Sequence, residues 1–284
     1  MNTFAYRGKR KRDYFEGWYL RLFNNDVNMA FIFAVTFNQD DPHAFIQVFD
    51  GRSVSTEYFR FPLEAFRYED ATVFIGENRL SESHVRVKVG GYDIDGTISD
   101  HVLPGRSSIG LLRYAPLQCF QEVVWLSASA DIAMPDGEKT EVYLEKTYGR
   151  RFPKRWFWLH APFDDGVLSF AGGIVPVPPF ETFAFFALFH HEEETVRFAT
   201  YNRASLRIEE GKTVSFLLKK GGHTLFIDAE RGDEVPLVGP GERARMQERV
   251  MESLNAKVRL RYMKGERRME RRSAEAGFEW MYNE

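Results

Sequence analysis

Residues 143–163 read YLEKTYGRRFPKRWFWLHAPF, and this stretch is the most informative part of the sequence. In its second half Trp156, Trp158 and His160 alternate with two apolar residues. Side chains of a β-strand point alternately to its two faces, so these three residues share one face. Both faces are therefore bulky. The pattern predicts a strand that is covered on both sides or lines a cavity.

The first half of the same stretch predicts a second strand. Tyr143 and Glu145 fall on one of its faces, and Lys146 falls on the other. Only one of the two adjacent charges can then point to an interior. Residues 149–153, with a glycine and a proline, form the corner between the two strands. A structural ion pair with a neighbouring basic residue is the alternative to a catalytic role here.

Short apolar or alternating runs continue along most of the chain. Turn residues separate them at intervals of roughly 8–12 residues, which is typical of a β-sandwich or β-barrel. Gly90 and Gly91 stand between two alternating runs and predict a two-residue hairpin turn, and residues 135–137 predict another turn. Strands do not alternate with helices, so a parallel sheet is not expected. The sequence predicts an all-β protein.

One helix is predicted near the C-terminus. Over residues 241–254, Met246, Val250 and Leu254 recur at steps of four. No long linker divides the chain, and the corner after residue 148 is the best boundary. We therefore expect one half over residues 1–148 and a second one, with the helix, over residues 149–284; the number of strands also fits one extended sandwich.

Composition narrows the class of protein. The chain has 284 residues, of which 44% are hydrophobic and 28% charged, as in a globular protein with a sizeable core. Its 26 phenylalanines suit strands and apolar pockets. The net charge of −3 gives no case for nucleic acid as a partner. The single cysteine, Cys119, excludes an internal disulfide, so a cytoplasmic location is expected.

No targeting or transmembrane segment is predicted. The most apolar run, residues 180–189, contains Glu181 and is about half as long as a membrane span. A soluble protein is expected, and peripheral contact with a membrane stays open.

Three blocks of sequence resemble the tocopherol cyclase family. The first has the pattern E-K-x-x-G-x-x-F-P-x-x-W-x-W, carried here by Glu145, Lys146, Gly149, Phe152, Pro153, Trp156 and Trp158. Residues 14–19, YFEGWY, resemble the opening strand of that family, and residues 171–173, AGG, resemble a third element. The blocks follow the family's order over the first two-thirds of the chain. The resemblance implies two lipocalin-like antiparallel halves packed together, and a hydrophobic, prenylated ligand such as a prenyl quinol.

One block departs from the family pattern. Where the family carries Met-Glu-Cys-x-His-Gly, residues 117–122 read LQCFQE. Gln118 and Gln121 thus stand at the positions of a carboxylate and a histidine. If either group donates a proton in the family's enzymes, this chain lacks that donor.

The candidate site residues fall into two groups. Proton donors are sought among buried carboxylates, whose pKa rises on desolvation, and imidazoles, which titrate near neutral pH; the candidates are Glu16, Glu145 and His160. Aromatic faces can bind an apolar substrate and stabilise a cation; these candidates are Trp18, Trp156, Trp158 and Tyr143. The alternatives are an ion-paired Glu16 at the end of a barrel and a His160 satisfied within a core.

No metal or cofactor is expected. His190 and His191 precede three glutamates, but adjacent strand residues point to opposite faces, and a solvated hairpin is the better interpretation. Two hypotheses for function lead. In the first, which follows the resemblance, the protein is an intramolecular lyase or isomerase that cyclises a prenylated substrate. In the second it carries a lipid or isoprenoid without catalysis. Carbohydrate binding or hydrolysis ranks last, since no carboxylate pair is recognisable in the sequence.

Overall fold

The computed structural model describes residues 3–8, 12–132, 139–177 and 179–281. The predicted turn over residues 135–137 lies outside the described residues. Contacts divide the chain into two compact units. Unit 1 comprises Met1–Ser107, Gln118–Phe152 and Leu237–Arg249, and unit 2 comprises Ser108–Leu117, Pro153–Pro236 and Val250–Glu284.

The first sheet, sheet A, has eleven strands, which are β1 (Phe15–Phe23), β2 (Asn28–Thr36), β3 (His43–Asp50), β4 (Ser55–Phe61), β5 (Phe66–Glu69), β6 (Thr72–Ile75), β7 (Asn78–Leu80), β8 (His84–Val89), β9 (Tyr92–Val102), β10 (Cys119–Ile132) and β11 (Thr140–Gly149). Their spatial order is β4-β3-β2-β1-β11-β10-β9-β8-β7-β6-β5. Neighbouring strands pair antiparallel, for example β1 with both β2 and β11.

Sheet A curls around its own core. Its edge strands β4 and β5 are consecutive in the chain and are joined by Pro62 and a 3₁₀ turn, Leu63–Ala65. Because this connection is so short, the end of β4 and the start of β5 lie at most about 17 Å apart. One face of every strand contributes to a single apolar cluster, which we call the inner cluster of sheet A; it includes Trp18, Phe31 and Val85. These features describe a nearly closed antiparallel barrel.

The second sheet, sheet B, has ten strands, which are β12 (Trp156–Phe163), β13 (Gly166–Val177), β14 (Phe180–His191), β15 (Glu194–Ala199), β16 (Ser205–Glu209), β17 (Thr213–Lys220), β18 (His223–Glu230), β19 (Val235–Pro240), β20 (Met246–Lys264) and β21 (Arg267–Met281). Their order is β15-β14-β13-β12-β21-β20-β18-β17-β16, and β19 pairs with β20.

Sheet B also has an apolar core on one face. Phe157, Leu159 and Phe170 belong to this inner cluster of sheet B. Gly172 permits its close packing, because a Cβ there would lie 2.9 Å from the rings of Phe157 and Phe183.

The predicted helix over residues 241–254 is wrong. After a 3₁₀ turn, Glu242–Ala244, these residues enter the long strand β20. A recurrence at every fourth residue also satisfies the period of two that a strand requires. Val250, Glu252 and Leu254 are all buried in β20. Because Glu252 is charged although it is buried, the sequence does not show the alternation of apolar and polar residues that is typical of a strand.

The all-β class and its antiparallel pairing are confirmed. The predicted hairpin is confirmed as well: Val89 pairs with Tyr92, and Gly90 has a φ of +59°. Of the described residues, none belongs to a helix with the length and apolar character that crossing a membrane requires.

Candidate functional site

The inner face of sheet A carries a row of polar side chains among apolar ones. Strand alternation in β1 places Glu16 and Trp18 on this face. Cross-strand pairing sets Trp18 beside Lys146 of β11, and Lys146 beside Glu122 of β10. All four side chains are buried with no exposed surface. The fold thus concentrates two carboxylates, one ammonium and an indole at one place in unit 1.

Lys146 is held by three acceptors. Its Nζ lies 2.5 Å from Oε1 of Glu16 and 3.5 Å from the main-chain oxygen of Phe4, and it also donates to the main-chain oxygen of Ala5. The ammonium lies 4.8 Å from the ring centroid of Trp18, a distance at which a cation and an aromatic face attract each other. An ammonium has three donors, so this one is fully used.

Glu16 has partners on both oxygens. Besides Lys146, Oε1 accepts a hydrogen bond of 2.7 Å from the main-chain N–H of Arg7. Oε2 accepts one of 3.1 Å from the hydroxyl of Tyr14. Both oxygens of this buried carboxylate thus accept hydrogen bonds. Glu16 and Lys146 therefore form a satisfied ion pair in an apolar interior.

Burial shifts the pKa values around the pair. It lowers the pKa of Lys146 to about 8, although the Glu16 carboxylate acts in the opposite direction. It raises the pKa of Tyr6 to about 12, and Glu16 adds to that rise. Burial, followed by the charge of Glu16, also raises the pKa of Tyr14. Of Lys146, Tyr6 and Tyr14, Lys146 therefore has the pKa closest to neutral pH.

Glu122 extends the polar row. Its Oε2 accepts a hydrogen bond of 2.7 Å from the hydroxyl of Ser107. Its charge favours the protonated form of Lys146, as does that of Glu16. The ammonium thus lies within the field of two buried carboxylates.

Glu145 and Tyr143 lie on the opposite face of β11 from Lys146. The hydroxyl of Tyr143 donates to Oε2 of Glu145 at 2.7 Å, and Nε2 of Gln121 lies 2.9 Å from both carboxylate oxygens. Both side chains are buried. The structure brings these two predicted site residues together and places sheet A between them and Glu16. A catalytic role for Glu145 stays a prediction.

In unit 2, Trp156, Trp158 and His160 lie together on one face of β12. This is the face opposite the inner cluster of sheet B, and all three side chains are buried. The rings of Trp158 and His160 are stacked, with centroids 6.3 Å apart. Nε1 of Trp156 donates to Oε2 of Glu279 at 2.7 Å. Their role in binding stays a prediction.

Three residues in or beside the polar row, Lys146, Glu122 and Tyr14, are not among the donors and binding residues predicted from the sequence. The sequence shows Lys146 as one of two adjacent charges on opposite faces of a strand, but it does not determine which of the two points inward. Glu122 and Tyr14 follow the same period-two rule in β10 and before β1, but an isolated charge or phenol at a strand end carries no distinctive signal. Among the described residues, no group of three or more histidine, cysteine or acidic side chains is arranged to hold a metal ion.

Comparisons with known proteins give similarities of structure but none of sequence. No protein-family model matches the chain, and no curated protein matches it. One similar solved structure is kievitone hydratase from Nectria haematococca, with a TM-score of 0.49, 12% identity and coverage of 95% of this chain and 89% of that one. Another is a protein assigned as AttH from Nitrosomonas europaea, with a TM-score of 0.48, 14% identity and coverage of 93% and 92%.

Proposed function

We propose that the interior of sheet A binds a hydrophobic, prenylated small molecule with a polar head group. The observation that carries the proposal is the ion pair of Glu16 and Lys146, buried within an apolar cluster. Such pairs rarely stabilise a fold more than apolar residues of similar volume would. An apolar site with a few converging polar groups is the usual form of a ligand pocket.

The two parts of such a ligand match two parts of this interior. An apolar chain suits the aromatic side chains Trp18, Phe66 and Tyr68, which lie within the same group of rings around Tyr6. A hydroxyl or carbonyl head suits Lys146 as a donor and Glu16 as an acceptor. The resemblance of residues 14–19 and 145–158 to tocopherol cyclases agrees with this assignment, since Glu16, Trp18 and Lys146 all lie in those blocks.

Intramolecular cyclisation is the catalytic form of this proposal. A proton passes from the Glu16–Lys146 pair to an alkene carbon, and the face of Trp18 stabilises the resulting cation. The phenolic oxygen then forms the new C–O bond, and its proton returns to the pair. No atom is gained or lost, as an isomerisation requires. Among the predicted donors Glu16, Glu145 and His160, Glu16 has its side chain on the inner face of its sheet beside Trp18.

Non-catalytic carriage of a lipid or isoprenoid is the second candidate. The departure at Gln118 and Gln121 favours it, because Gln121 hydrogen-bonds Glu145 and supplies no acid. Carriage needs the same interior and no proton transfer. The face of β12 with Trp156, Trp158 and His160 is a second candidate position for the ligand, as aromatic rings and an imidazole are stacked there.

Incubation with a farnesylated hydroquinone in deuterated water tests the proposal. If the protein is a cyclase, the cyclised product contains deuterium at the former alkene carbon, as read by mass spectrometry. Glu16→Gln should abolish this product and retain ligand binding. Asp100→Asn, which removes an exposed partner of Lys139, is the matched control and should leave turnover unchanged.

Each outcome has a distinct meaning. Binding without any cyclised product in the unmodified protein leaves the carrier hypothesis. Turnover that survives Glu16→Gln but is lost in Glu145→Gln or His160→Gln moves the catalytic site out of the interior of sheet A. Absence of binding both to the unmodified protein and to Arg7→Pro, which lacks the main-chain N–H that Glu16 accepts, removes both hypotheses.

A further inference from the structure

We propose that residues 3–8 occupy the ligand site of sheet A as a built-in ligand, and that the true ligand displaces them with acceptor oxygens of its own. This inference rests on the proposed function, because it identifies the same interior as the binding site. Residues 3–8 must leave that site before the ligand binds, and the oxygens of the ligand then replace those of the main chain.

The segment satisfies the polar groups of the site directly. The main-chain oxygen of Phe4 accepts hydrogen bonds from Nε1 of Trp18 at 2.8 Å and from Nζ of Lys146 at 3.5 Å. The oxygen of Ala5 accepts a further bond from Lys146. The N–H of Arg7 donates to Glu16 at 2.7 Å. Two donors and one acceptor of the site are thus bound by the main chain of one short segment.

The segment also fills the apolar part of the site. Phe4 is fully buried, belongs to the inner cluster of sheet A, and has its ring 6.0 Å from that of Trp18. Tyr6 packs edge-on against Phe66 at 5.1 Å. Residues 3–8 form no strand, although they lie inside a structure made of strands. They therefore do not join the sheet, and their main-chain atoms bond to side chains of β1 and β11.

The segment is held with some of its own polar groups unsatisfied. The hydroxyl of Tyr6 and two guanidinium nitrogens of Arg7, Nε and Nη2, are buried and have no hydrogen-bond partner among the described residues. Leaving such groups unpaired disfavours the bound position of the segment. Gly8 follows with a φ of +60°, a conformation in which glycine is not strained. Release of the segment thus frees polar groups while it exposes Phe4.

The contacts of the segment define the chemistry of the ligand that replaces it. Lys146 and Trp18 are donors, so the displacing molecule must offer acceptor oxygens at their positions. The ring of Phe4 lies beside Trp18, so an apolar group of the ligand close to those oxygens would take its place. A neutral hydrocarbon of the same shape would leave the buried donors unpaired, at a large cost in affinity.

Hydrogen exchange of the full chain is the primary test, with farnesyl-1,4-benzoquinone as the probe. A saturating concentration should increase amide exchange in peptides covering residues 3–8 at least about tenfold, since the N–H of Arg7 loses its acceptor. Peptides of β1 and β11 should exchange no faster. Unchanged or slower exchange of residues 3–8 at saturation would overturn the proposal.

Two substitutions of Arg7 isolate the main-chain contact. Arg7→Ala keeps the N–H that Glu16 accepts, whereas Arg7→Pro removes it and leaves the site residues intact. Because apparent affinity is scaled by the fraction of molecules with an open site, Arg7→Pro should bind the quinone at least about tenfold more tightly than Arg7→Ala. Equal dissociation constants in two folded variants would contradict the proposal.

A matched pair of probes tests the ligand chemistry. Farnesylbenzene lacks both oxygens and should bind at least about tenfold more weakly than the quinone. Equal binding of the two overturns the assignment of acceptor oxygens. If the quinone binds neither the full chain nor Arg7→Pro, the proposed function fails and this inference fails with it. If the quinone shifts Trp18 while residues 3–8 keep their exchange rates, only the inference fails.

Discussion

Lys146 and Glu16 determine the electrostatic character of the interior of sheet A. Removing an ion from water costs several kcal/mol, and only close pairing with additional hydrogen bonds offsets that cost. The pair has these bonds, from Tyr14 and the main chain near residues 4–7. With Glu122, the pair is a charged group within a cluster that is otherwise apolar.

Single and double substitutions at this pair should have opposite effects. Lys146→Met leaves the Glu16 carboxylate buried without its cation and should lower the free energy of unfolding by about 3–5 kcal/mol. The double variant Glu16→Leu/Lys146→Met should recover most of this loss, while ligand binding is abolished. Urea unfolding measures both. Asp100→Asn should change stability by less than about 1 kcal/mol, and a similarly small effect of Lys146→Met would show that the ammonium is not buried as described.

The lowered pKa of Lys146 predicts a dependence of stability on pH. Between pH 8 and its ordinary value of 10.5, the unfolded chain binds this proton and the folded chain does not. Stability should therefore rise with pH above about 8, since the state that binds more protons is the unfolded one. Above about pH 10 the raised pKa of Tyr6 and Tyr14 acts in the opposite sense, because the unfolded phenols ionise first.

The comparison with Lys146→Met isolates this effect. Urea midpoints of the unmodified protein should increase from pH 7.5 to 9.5, and the increase should be missing in the variant. Parallel profiles for the two proteins would contradict the assignment of the lowered pKa to Lys146.

At the scale of elements, the end of β11 depends on one glycine. Gly149 has a φ of +154°, and a Cβ there would lie 2.3 Å from the main-chain oxygen of Gln118. Gly149→Ala should therefore destabilise unit 1 by about 1–3 kcal/mol. Gly91→Ala is the matched control, because a Cβ at that residue meets nothing within 4 Å. Thermal or urea unfolding compares them, and equal losses would refute the close approach at Gly149.

Buried strands were predictable where apolar residues alternate or run continuously. The opening strand indicated by residues 14–19 is β1, Phe15–Phe23. The edge strand β4, Ser55–Phe61, has no such signal, because its residues are half-buried or exposed and its polar residues mask the alternation. The start of β20 has a helix-like pattern in the sequence, because apolar residues at steps of four fit both a helix and a strand. In both cases the same residues fit two kinds of local structure, and burial in the folded protein selects one of them. Burial cannot be read directly from the sequence.

At the scale of the whole molecule, the number and spacing of strands fit two halves as well as one extended sandwich, and only the family resemblance favours two halves. The contacts of the folded chain divide it into two compact units. The candidate site was predictable only in part. Glu16 and Trp18 were identified from their strand pattern and family resemblance, whereas the choice between Glu145 and Lys146 required the sheet's curvature. The contact of Lys146 with Ala5 joins residues 141 positions apart. No local periodicity encodes such a contact, so the segment inside sheet A could not be predicted.

The NMR resonances of the indole N–H groups report directly on whether a ligand binds inside sheet A. The chain has five tryptophans, each assignable by a Trp→Phe substitution. Titration of ¹⁵N-labelled protein with farnesyl-1,4-benzoquinone should shift the Trp18 signal with a saturating profile, because its partner, the oxygen of Phe4, is replaced. The signals of Trp156 and Trp158 should stay in place. A Trp18 signal unchanged at saturation, with shifts at Trp156 and Trp158 instead, would place the ligand on β12 and contradict a binding site inside sheet A.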